Sequence, residues 1–233
     1  MDDAALRALV GQALTRVLSR DERCGTVEPA GGSPAPAQSP APAPARAPAS
    51  TPAPASSPVP PPPPPPAPGS ARPGPVALGS DHGGFELKER LREHLRERGY
   101  SVRDVGTYST EACDYPDLAL KVAVAVAKGE AWRGIVVDGV GIGSAMAANK
   151  VPGIRAATCF DAASTVNARE HNDANVLCIG GKVLAPEVAL GMARTFLETD
   201  FAGGRHAPRV AKIVAIEQAF VGAGAGAAGA RRP

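Results

Sequence analysis

The sequence of 233 residues is poor in aromatic residues, in paired cysteines and in charge of one sign. Aromatic residues make up 4% of it and the formal net charge is +2, which argues against a nucleic-acid-binding surface. No apolar run approaches the roughly 18 residues that span a membrane. The four cysteines contain no CxxC pair, so a zinc or disulfide framework is not expected. With no recognisable signal peptide, the chain is expected in a reducing cytoplasm, without nucleic-acid or membrane partners.

Proline is the residue in excess, and its distribution divides the chain. Twenty of the 25 prolines lie in residues 29–75, a Pro/Ala/Ser-rich stretch with almost no charge. Such a segment buries too little apolar surface to offset chain entropy, so residues 23–75 are predicted to be a disordered, partly polyproline-II linker. The proline run 60–66 is also typical of ligands for proline-binding domains. The globular domain is predicted at 76–220, and a Gly/Ala-rich disordered tail at 221–233.

Residues 3–20 have the period of an amphipathic helix, with apolar side chains on one stripe and arginines off it. Because the linker separates this helix from the globular domain, its stripe is expected to contact another protein. A terminal amphipathic helix followed by a Pro/Ala linker resembles the encapsulation peptides of bacterial microcompartments. Residues 1–22 are therefore predicted to bind microcompartment shell or cargo proteins, which places the chain inside a microcompartment. The alternatives are packing on its own domain or simple oligomerisation.

From residue 76 the pattern alternates between short β-branched runs and helical segments. Strands are predicted at 76–79, 101–105, 134–137, 155–159 and 176–180. Helices are predicted at 85–98, 116–128, directly after the glycines of 139–143, and at 162–170, 186–198 and 207–220. Repeated βα units of this kind predict a three-layer αβα, Rossmann-like fold with a five-stranded parallel sheet.

A glycine-rich segment after the third strand is the predicted centre of the domain. Gly139, Gly141 and Gly143 alternate between that strand and a helix-forming Ser-Ala-Met-Ala-Ala segment. A strand, a glycine turn and a helix N-terminus together point backbone N–H groups at an anion, and Asp138 lies at the end of the strand. A dinucleotide site would instead need GxGxxG after the first strand, so NAD binding is not predicted.

Other polar residues are expected beside these glycines, because ligands of open parallel sheets lie beyond the carboxyl ends of the strands. They are Ser80, Asp81 and His82 after the first strand, Asp161 and the segment 170–173 after the fourth, and the basic segment 203–209. Together they predict a small polar site for a small anionic ligand. Taken singly, Asp81-His82 and His171 are more typical of turns and helix caps.

Five motifs follow one another along this predicted domain. They are Gly79-Ser-Asp-His-Gly-Gly-Phe-Glu-Leu-Lys88, Asp114-Tyr-Pro116, Gly141-Ile-Gly143 with Ala147-Ala-Asn-Lys150, Arg169-Glu-His-Asn-Asp-Ala-Asn-Val176 and Gly203-Gly-Arg-His206. In this order they resemble ribose-5-phosphate isomerase type B, a family that includes the galactose-6-phosphate isomerase subunits. The resemblance covers 76–218 and implies an aldose–ketose isomerase of sugar phosphates, working through an enediolate with no metal or organic cofactor. It also implies a homodimer whose site is shared between subunits, or a tetramer of two dimers.

The same resemblance implies a role for each matched residue. His171 opens the furanose ring by acid–base transfer, and Asn172 supports the sugar. The sugar is contacted by Asp81, His82 and Tyr115. The enediolate oxygen is stabilised by backbone N–H groups of Gly139, Val140, Gly141, Ile142, Gly143 and Ser144, and the phosphate is bound by Arg205 and Arg209, with His206 beside them.

The glycine segment differs from the family's usual pattern at the residue that acts as the catalytic base. The usual Cys-Gly-Thr-Gly is here Asp138-Gly-Val140-Gly, so the thiol base and the neighbouring hydroxyl are both missing. A carboxylate can do the thiolate's work, as in triosephosphate isomerase, and Asp138 is predicted to move the proton between C1 and C2. Val140 has no hydroxyl to shuttle protons between the substrate oxygens. Three interpretations stay open: a ribose-5-phosphate isomerase with Asp138 as base, an isomerase of another sugar phosphate such as a hexose 6-phosphate, or a catalytically silent sugar-phosphate-binding protein.

Overall fold

The computed structural model describes residues 74–226, so the predictions made for 1–73 and for 227–233 lie outside the described residues. The strands are β1 (Val76–Ser80), β2 (Val102–Asp104), β3 (Arg133–Asp138), β4 (Ala156–Thr158) and β5 (Val176–Gly180). The helices are α1 (Phe85–Glu97), α2 (Tyr115–Ala127), α3 (Ile142–Ala148), α4 (Ala162–Glu170), α5 (Pro186–Glu198) and α6 (Ala207–Gly226), with a 3₁₀ turn at Gly204–His206 before α6.

The five strands form one parallel sheet in the order β2-β1-β3-β5-β4. The three central strands are buried along their whole length, as expected for strands covered by helices on both faces. The outer strands β2 and β4 have only three residues each and are partly exposed. The predicted αβα fold with a five-stranded parallel sheet is therefore confirmed.

Each face of the sheet packs against its own set of helices. Leu78, Ile135 and Leu177 lie side by side on β1, β3 and β5 and form one buried cluster with Leu91 of α1 and Phe196 of α5. On the opposite face, the small side chains of α2 and α3 form a second cluster with the strands. Alanines dominate that second cluster, and they let α2 and α3 lie close to the glycines that follow β3.

The last helix is longer than predicted. Helix α6 continues to Gly226, so the boundary expected at residue 220 falls inside it. Alanine is the strongest helix former, and Ala223 and Ala225 alternate with the glycines of this segment. Within 74–226, every helix is too short or too polar to cross a lipid bilayer.

Parallel strands give the sheet two chemically distinct edges. All five strands end at one edge, here named the carboxyl edge, and begin at the other, the amino edge. The first and last residues of the six-residue strand β3 are five steps apart, at about 3.3 Å per step. The two edges are therefore separated by about 16 Å. Residues that follow a strand lie at the carboxyl edge, whereas residues that follow a helix lie at the amino edge.

Candidate active site

Asp138, the last residue of β3, is buried, and the segment that follows it folds around its carboxylate. Its Oδ1 accepts hydrogen bonds from the backbone N–H of Val140 at 2.7 Å and from that of Gly141. Its Oδ2 accepts from the N–H of Ser144 at 3.1 Å and from the Ser144 hydroxyl at 2.5 Å. The turn that allows this has Gly141 at φ +91°, a conformation that favours glycine. Four donors thus hold one carboxylate.

The backbone N–H groups of the glycine loop, residues 139–144, consequently fall into two sets, those that donate to Asp138 and those that do not. Those of Val140, Gly141 and Ser144 are used by Asp138. Those of Gly139, Ile142 and Gly143 have no acceptor within the described part of the chain. Only these three remain for a ligand anion, so the anion site predicted from Gly139 to Ser144 is half occupied by the protein's own carboxylate.

Asp81 and His82 lie beside Asp138 at the carboxyl edge, directly after β1. Asp81 Oδ1 accepts a hydrogen bond from Gly84 N–H at 2.9 Å. Burial raises the pKa of Asp81, the Gly84 N–H opposes that rise, and the negative charge of Asp138 adds to it. His82 is exposed, with Nδ1 3.2 Å from the carbonyl oxygen of Cys113. A buried acid and an exposed imidazole therefore flank the glycine loop.

Tyr115 covers the glycine loop from the start of α2. A Cβ atom on Gly143 would lie 2.6 Å from two carbon atoms of its ring, far inside van der Waals contact. Glycine is therefore required at 143 for the ring to reach this position. The ring remains 41% exposed, so it forms part of the open wall of the site.

Lys182 belongs to the same edge although sequence reasoning did not include it. It follows β5, and its side chain passes over both Gly83 and Gly139: Cβ atoms there would lie 3.3 Å from Lys182 Cε and 3.7 Å from Lys182 Cδ. Its position after a strand end was the signal available in the sequence, since the carboxyl-edge rule applies to β5 as much as to β1 and β3. Lys182 brings a positive charge to the mouth of the glycine loop.

His171, at the end of α4, forms a second cluster with the basic segment before α6. The His171 and His206 rings stack with centroids 4.0 Å apart and 7° between their planes. Arg205 Nε donates to His206 Nε2 at 3.3 Å. The pKa of His206 is lowered by loss of hydration and by its electrostatic interactions with His171, Arg205 and Arg209. Two imidazoles and two guanidinium groups together form a site suited to an anion.

Two buried arginines fix the backbone around this cluster. Arg169 Nε donates to the carbonyl of Thr199 at 3.1 Å, and Arg133 donates to the same carbonyl at 3.2 Å and to that of Phe196. These carbonyls belong to the end of α5, where intrahelical donors run out. Burial, and then the charge of Arg169, lower the pKa of Arg133 to about 9. The clamp holds the segment 199–206 against the end of α4, where Ala202 N–H also donates to the Glu170 carbonyl.

The second cluster lies at the amino edge, so the prediction that all site residues converge at the carboxyl edge is wrong within one chain. Helix α4 runs antiparallel to the strands and returns the chain to the start of the sheet. Asp173 there pairs with Arg155, the residue before β4, at 2.8 Å. Helix α5 also returns the chain to the start of the sheet, and the basic segment 203–209 follows it. One chain therefore places Asp81, His82, Tyr115, Asp138 and Lys182 at one edge, and His171, Asn172, Arg205, His206 and Arg209 at the other.

The chemistry available differs between the two edges. The carboxyl edge has a carboxylate beside unpaired N–H groups and a cation, which suits proton removal next to a developing oxyanion. The amino edge has imidazoles and guanidinium groups, which suit phosphate binding and proton relay. Within residues 74–226, no group of three or more His, Cys, Asp or Glu side chains is arranged to hold a metal ion.

Comparison with known proteins gives consistent matches over this domain. The family model described as Ribose/Galactose Isomerase matches residues 76–213. Ribose-5-phosphate isomerase B of Escherichia coli is 48% identical over 143 residues, which are 61% of this chain and 96% of that protein. The solved structure of ribose-5-phosphate isomerase B from Clostridium thermocellum is 51% identical, with a TM-score of 0.61, covering 62% of this chain and 98% of that chain. The type B enzyme of Trypanosoma brucei is 49% identical, with a TM-score of 0.60, covering 61% of this chain and 98% of that chain.

Proposed function

The chain belongs to the ribose/galactose isomerase family, and from that premise we propose that this isomerase interconverts ribose 5-phosphate and ribulose 5-phosphate through an enediolate. The similar proteins of E. coli, C. thermocellum and T. brucei carry ribose 5-phosphate isomerase in their names. The observation that carries the proposal is the Asp138 carboxylate, held beside three unpaired N–H groups at the carboxyl edge. Base and oxyanion donors then stand next to each other, as aldose–ketose isomerisation requires.

In the proposed mechanism Asp138 moves the proton. Its carboxylate removes the proton from C2 of the open-chain aldose, and the electron pair moves to O1 to give the enediolate. The proton on O2 then passes to O1, and the carboxylate returns its proton to C1 as the C2 carbonyl of the ketose forms. The N–H groups of Gly139, Ile142 and Gly143 stabilise the enediolate oxygen, and such a donor is worth about 3 kcal/mol in comparable sites. Lys182 adds a positive charge beside them.

Ser144 decides how the carboxylate becomes available. A carboxylate has about four lone-pair positions, and all four of Asp138 are occupied. Three of the donors are backbone N–H groups fixed by the loop, whereas the Ser144 hydroxyl is able to rotate. Rotation of that hydroxyl frees one position on Oδ2 for the substrate proton. The hydroxyl then stays close enough to hydrogen-bond a substrate oxygen, which Val140 cannot do.

The separation of the two clusters supports a site built from two copies of the chain. With about 16 Å of sheet between them, Asp138 and His171 of one chain are too far apart to act on one pentose. We therefore include a homodimer in the proposal, in which the carboxyl edge of one chain faces the amino edge of its partner. Arg205, His206 and Arg209 of that partner bind the phosphate, and its His171 opens the sugar ring.

A hybrid dimer tests the shared site. Asp138→Asn and His171→Ala chains with different affinity tags are co-expressed and the hybrid is purified. One of its two sites combines both defects and the other has none, so about half of the wild-type activity is expected per dimer, whereas each parent dimer is inactive. An inactive hybrid contradicts the shared site. The same preparation is assayed with galactose 6-phosphate, and preference for that hexose would contradict the proposed substrate.

Residues 1–22 are proposed to deliver the enzyme to a bacterial microcompartment. Support for this comes from the amphipathic pattern of 3–20 and the Pro/Ala-rich linker that follows, both of which lie outside the described residues. Deleting 1–22 is expected to remove the protein from purified shell fractions while its turnover of ribose 5-phosphate stays the same. A variant that still co-purifies with shells contradicts the targeting role.

A further inference from the structure

A chain of side-chain amides ends on the His171 ring. Asn172 Nδ2 lies 3.2 Å from Asn167 Oδ1 and also 3.2 Å from the Asn167 backbone oxygen. Asn167 Nδ2 lies 2.8 Å from His171 Nδ1. Asn167 and His171 are four residues apart on α4, which places them on the same face of the helix. None of the roles assigned above involves Asn167.

The direction of every hydrogen bond in this chain follows from one backbone carbonyl. A backbone oxygen only accepts, so the Asn172 side chain must present its NH₂ group to it. That same NH₂ group faces Asn167, which must therefore present its oxygen there. Asn167 is left with its NH₂ group directed at His171 Nδ1, which must accept. Reversing either amide would bring two acceptors or two donors together.

We infer that Asn167 is a positioning residue that fixes the tautomer of His171, with the ring proton on Nε2, and that this tautomer is the one that opens the sugar ring. The tautomer follows because a neutral imidazole has one N–H, and Nδ1 already accepts. Stacking on His206 holds the plane of the ring, so Nε2–H has a fixed direction. The catalytic half of this inference rests on the proposed function.

The ring-opening step is balanced with this tautomer. Nε2 gives its proton to the ring oxygen of the furanose as the bond between C1 and that oxygen breaks. The anomeric hydroxyl gives its proton to Nε2 as the C1 carbonyl forms. The imidazole is neutral, with its proton on Nε2, before and after the step. Asn167 keeps Nδ1 out of the exchange, so the proton returns to the nitrogen that faces the sugar.

The tautomer is measured directly by long-range ¹H–¹⁵N correlation on the full chain labelled at its four histidines, with His171→Ala used to assign the signals. His171 of the wild type is expected to show a protonated Nε2 and an unprotonated Nδ1. Asn167→Asp replaces the donor with an acceptor of the same shape, and is expected to move the proton to Nδ1. A proton on Nδ1 in the wild type, or no change in Asn167→Asp, overturns the inference whatever the substrate.

Turnover of ribose 5-phosphate by Asn167 variants tests whether the tautomer of His171 matters for ring opening. Asn167→Asp is expected to lower turnover of ribose 5-phosphate at least about tenfold, because general acid–base groups contribute about 10²–10⁴. Asn167→Leu, which leaves the ring free to hold its proton on either nitrogen, is expected to retain more activity than Asn167→Asp. A purely structural role predicts the opposite order, since aspartate preserves the shape and the bond to Asn172. Gln218→Glu makes the same amide-to-acid change on the exposed face of α6 and is expected to have no effect.

An exchange experiment separates this inference from the proposed function. Ribulose 5-phosphate has no furanose ring to open, so the wash-in of deuterium at its C1 from D₂O reports enediolate formation alone. Asn167→Asp is expected to keep the wild-type rate of this exchange. An exchange rate that falls in parallel with turnover overturns the ring-opening role. Absence of any ribose 5-phosphate turnover in the wild type overturns the substrate and the catalytic half together, while the NMR result still decides the tautomer.

Discussion

Replacing Asp138 with asparagine tests its proposed role as base together with the role that its contacts give it, that of clamp for the glycine loop. The asparagine side chain has one oxygen that accepts and one NH₂ group that donates, whereas the aspartate side chain has two oxygens that accept. The Ser144 hydroxyl can rotate to accept from the new NH₂ group, but the Ser144 N–H is left facing a donor. One buried donor without a partner and the loss of charge on the remaining bonds lower the free energy of unfolding by about 3 kcal/mol.

The catalytic effect of Asp138→Asn is expected to be far larger than the loss of stability explains. Removing a base lowers kcat by about 10²–10⁴. The destabilisation corresponds to a fall in Tm of about 10 °C, so the variant stays folded at assay temperature. Turnover of ribose 5-phosphate, deuterium wash-in at C1 of ribulose 5-phosphate, and urea unfolding are measured on the same preparation.

Ala147→Gly is a control for a loss of stability next to the loop. It weakens α3 by about 1 kcal/mol without touching the carboxylate, and is expected to keep most of the activity. If Asp138→Asn proves destabilised but retains wild-type turnover and exchange, Asp138 is only the clamp of the loop. The proposed base is then wrong, and another group at the carboxyl edge must move the proton.

Three further predictions concern the same edge. Lys182→Ala is expected to raise KM for ribose 5-phosphate several-fold, with Lys182→Arg near the wild type; an unchanged KM would place Lys182 outside the site. Gly143→Ala drives a methyl group into the Tyr115 ring and is expected to raise KM while leaving the Asp138 contacts intact; equal kinetics with the wild type would contradict that packing. Asp81→Asn is expected to stabilise the fold at pH 7, because burial raises the folded-state pKa of Asp81 and its ionised form costs stability. That gain disappears as the pH falls below 3.8, where Asp81 is protonated in both states; a gain independent of pH in chemical denaturation would contradict the burial cost.

The fold follows from local signals that the sequence carries strongly. The runs at 134–137 and 176–180 consist of apolar residues and glycine, which fits strands covered on both faces, and the observed β5 has the predicted bounds. The outer strands are shorter than predicted: β4 has three residues where five were expected. An edge strand has one neighbour, so fewer of its residues are held in register. Segment type was predictable, whereas the extent of pairing depended on the tertiary neighbours.

The candidate site was only partly predictable from the sequence. The reason is that the direction in which each strand or helix runs decides at which edge of the sheet the next residues lie. Residues at the end of a strand or directly after it, such as Asp138 and Asp81, are at the carboxyl edge as the rule for parallel sheets requires. His171 was grouped with them because it follows β4 in sequence, although a whole helix separates the two. A nine-residue helix advances about 13 Å, enough to carry the chain back across the sheet. The contacts within the glycine loop could not be predicted from the sequence either, because they depend on how the Asp138 side chain folds back on the backbone that follows it.

In the proposed mechanism, the division of polar groups between the edges also divides the reaction into separable steps. The proposal assigns ring opening to His171 at the amino edge and proton transfer to Asp138 at the carboxyl edge. His171→Ala is therefore expected to lose turnover of ribose 5-phosphate, which begins as a closed ring, yet to keep deuterium wash-in at C1 of acyclic ribulose 5-phosphate. Asp138→Asn is expected to lose both. If His171→Ala loses the exchange as well, His171 takes part in proton transfer at carbon, and the assignment of one step to each edge is wrong.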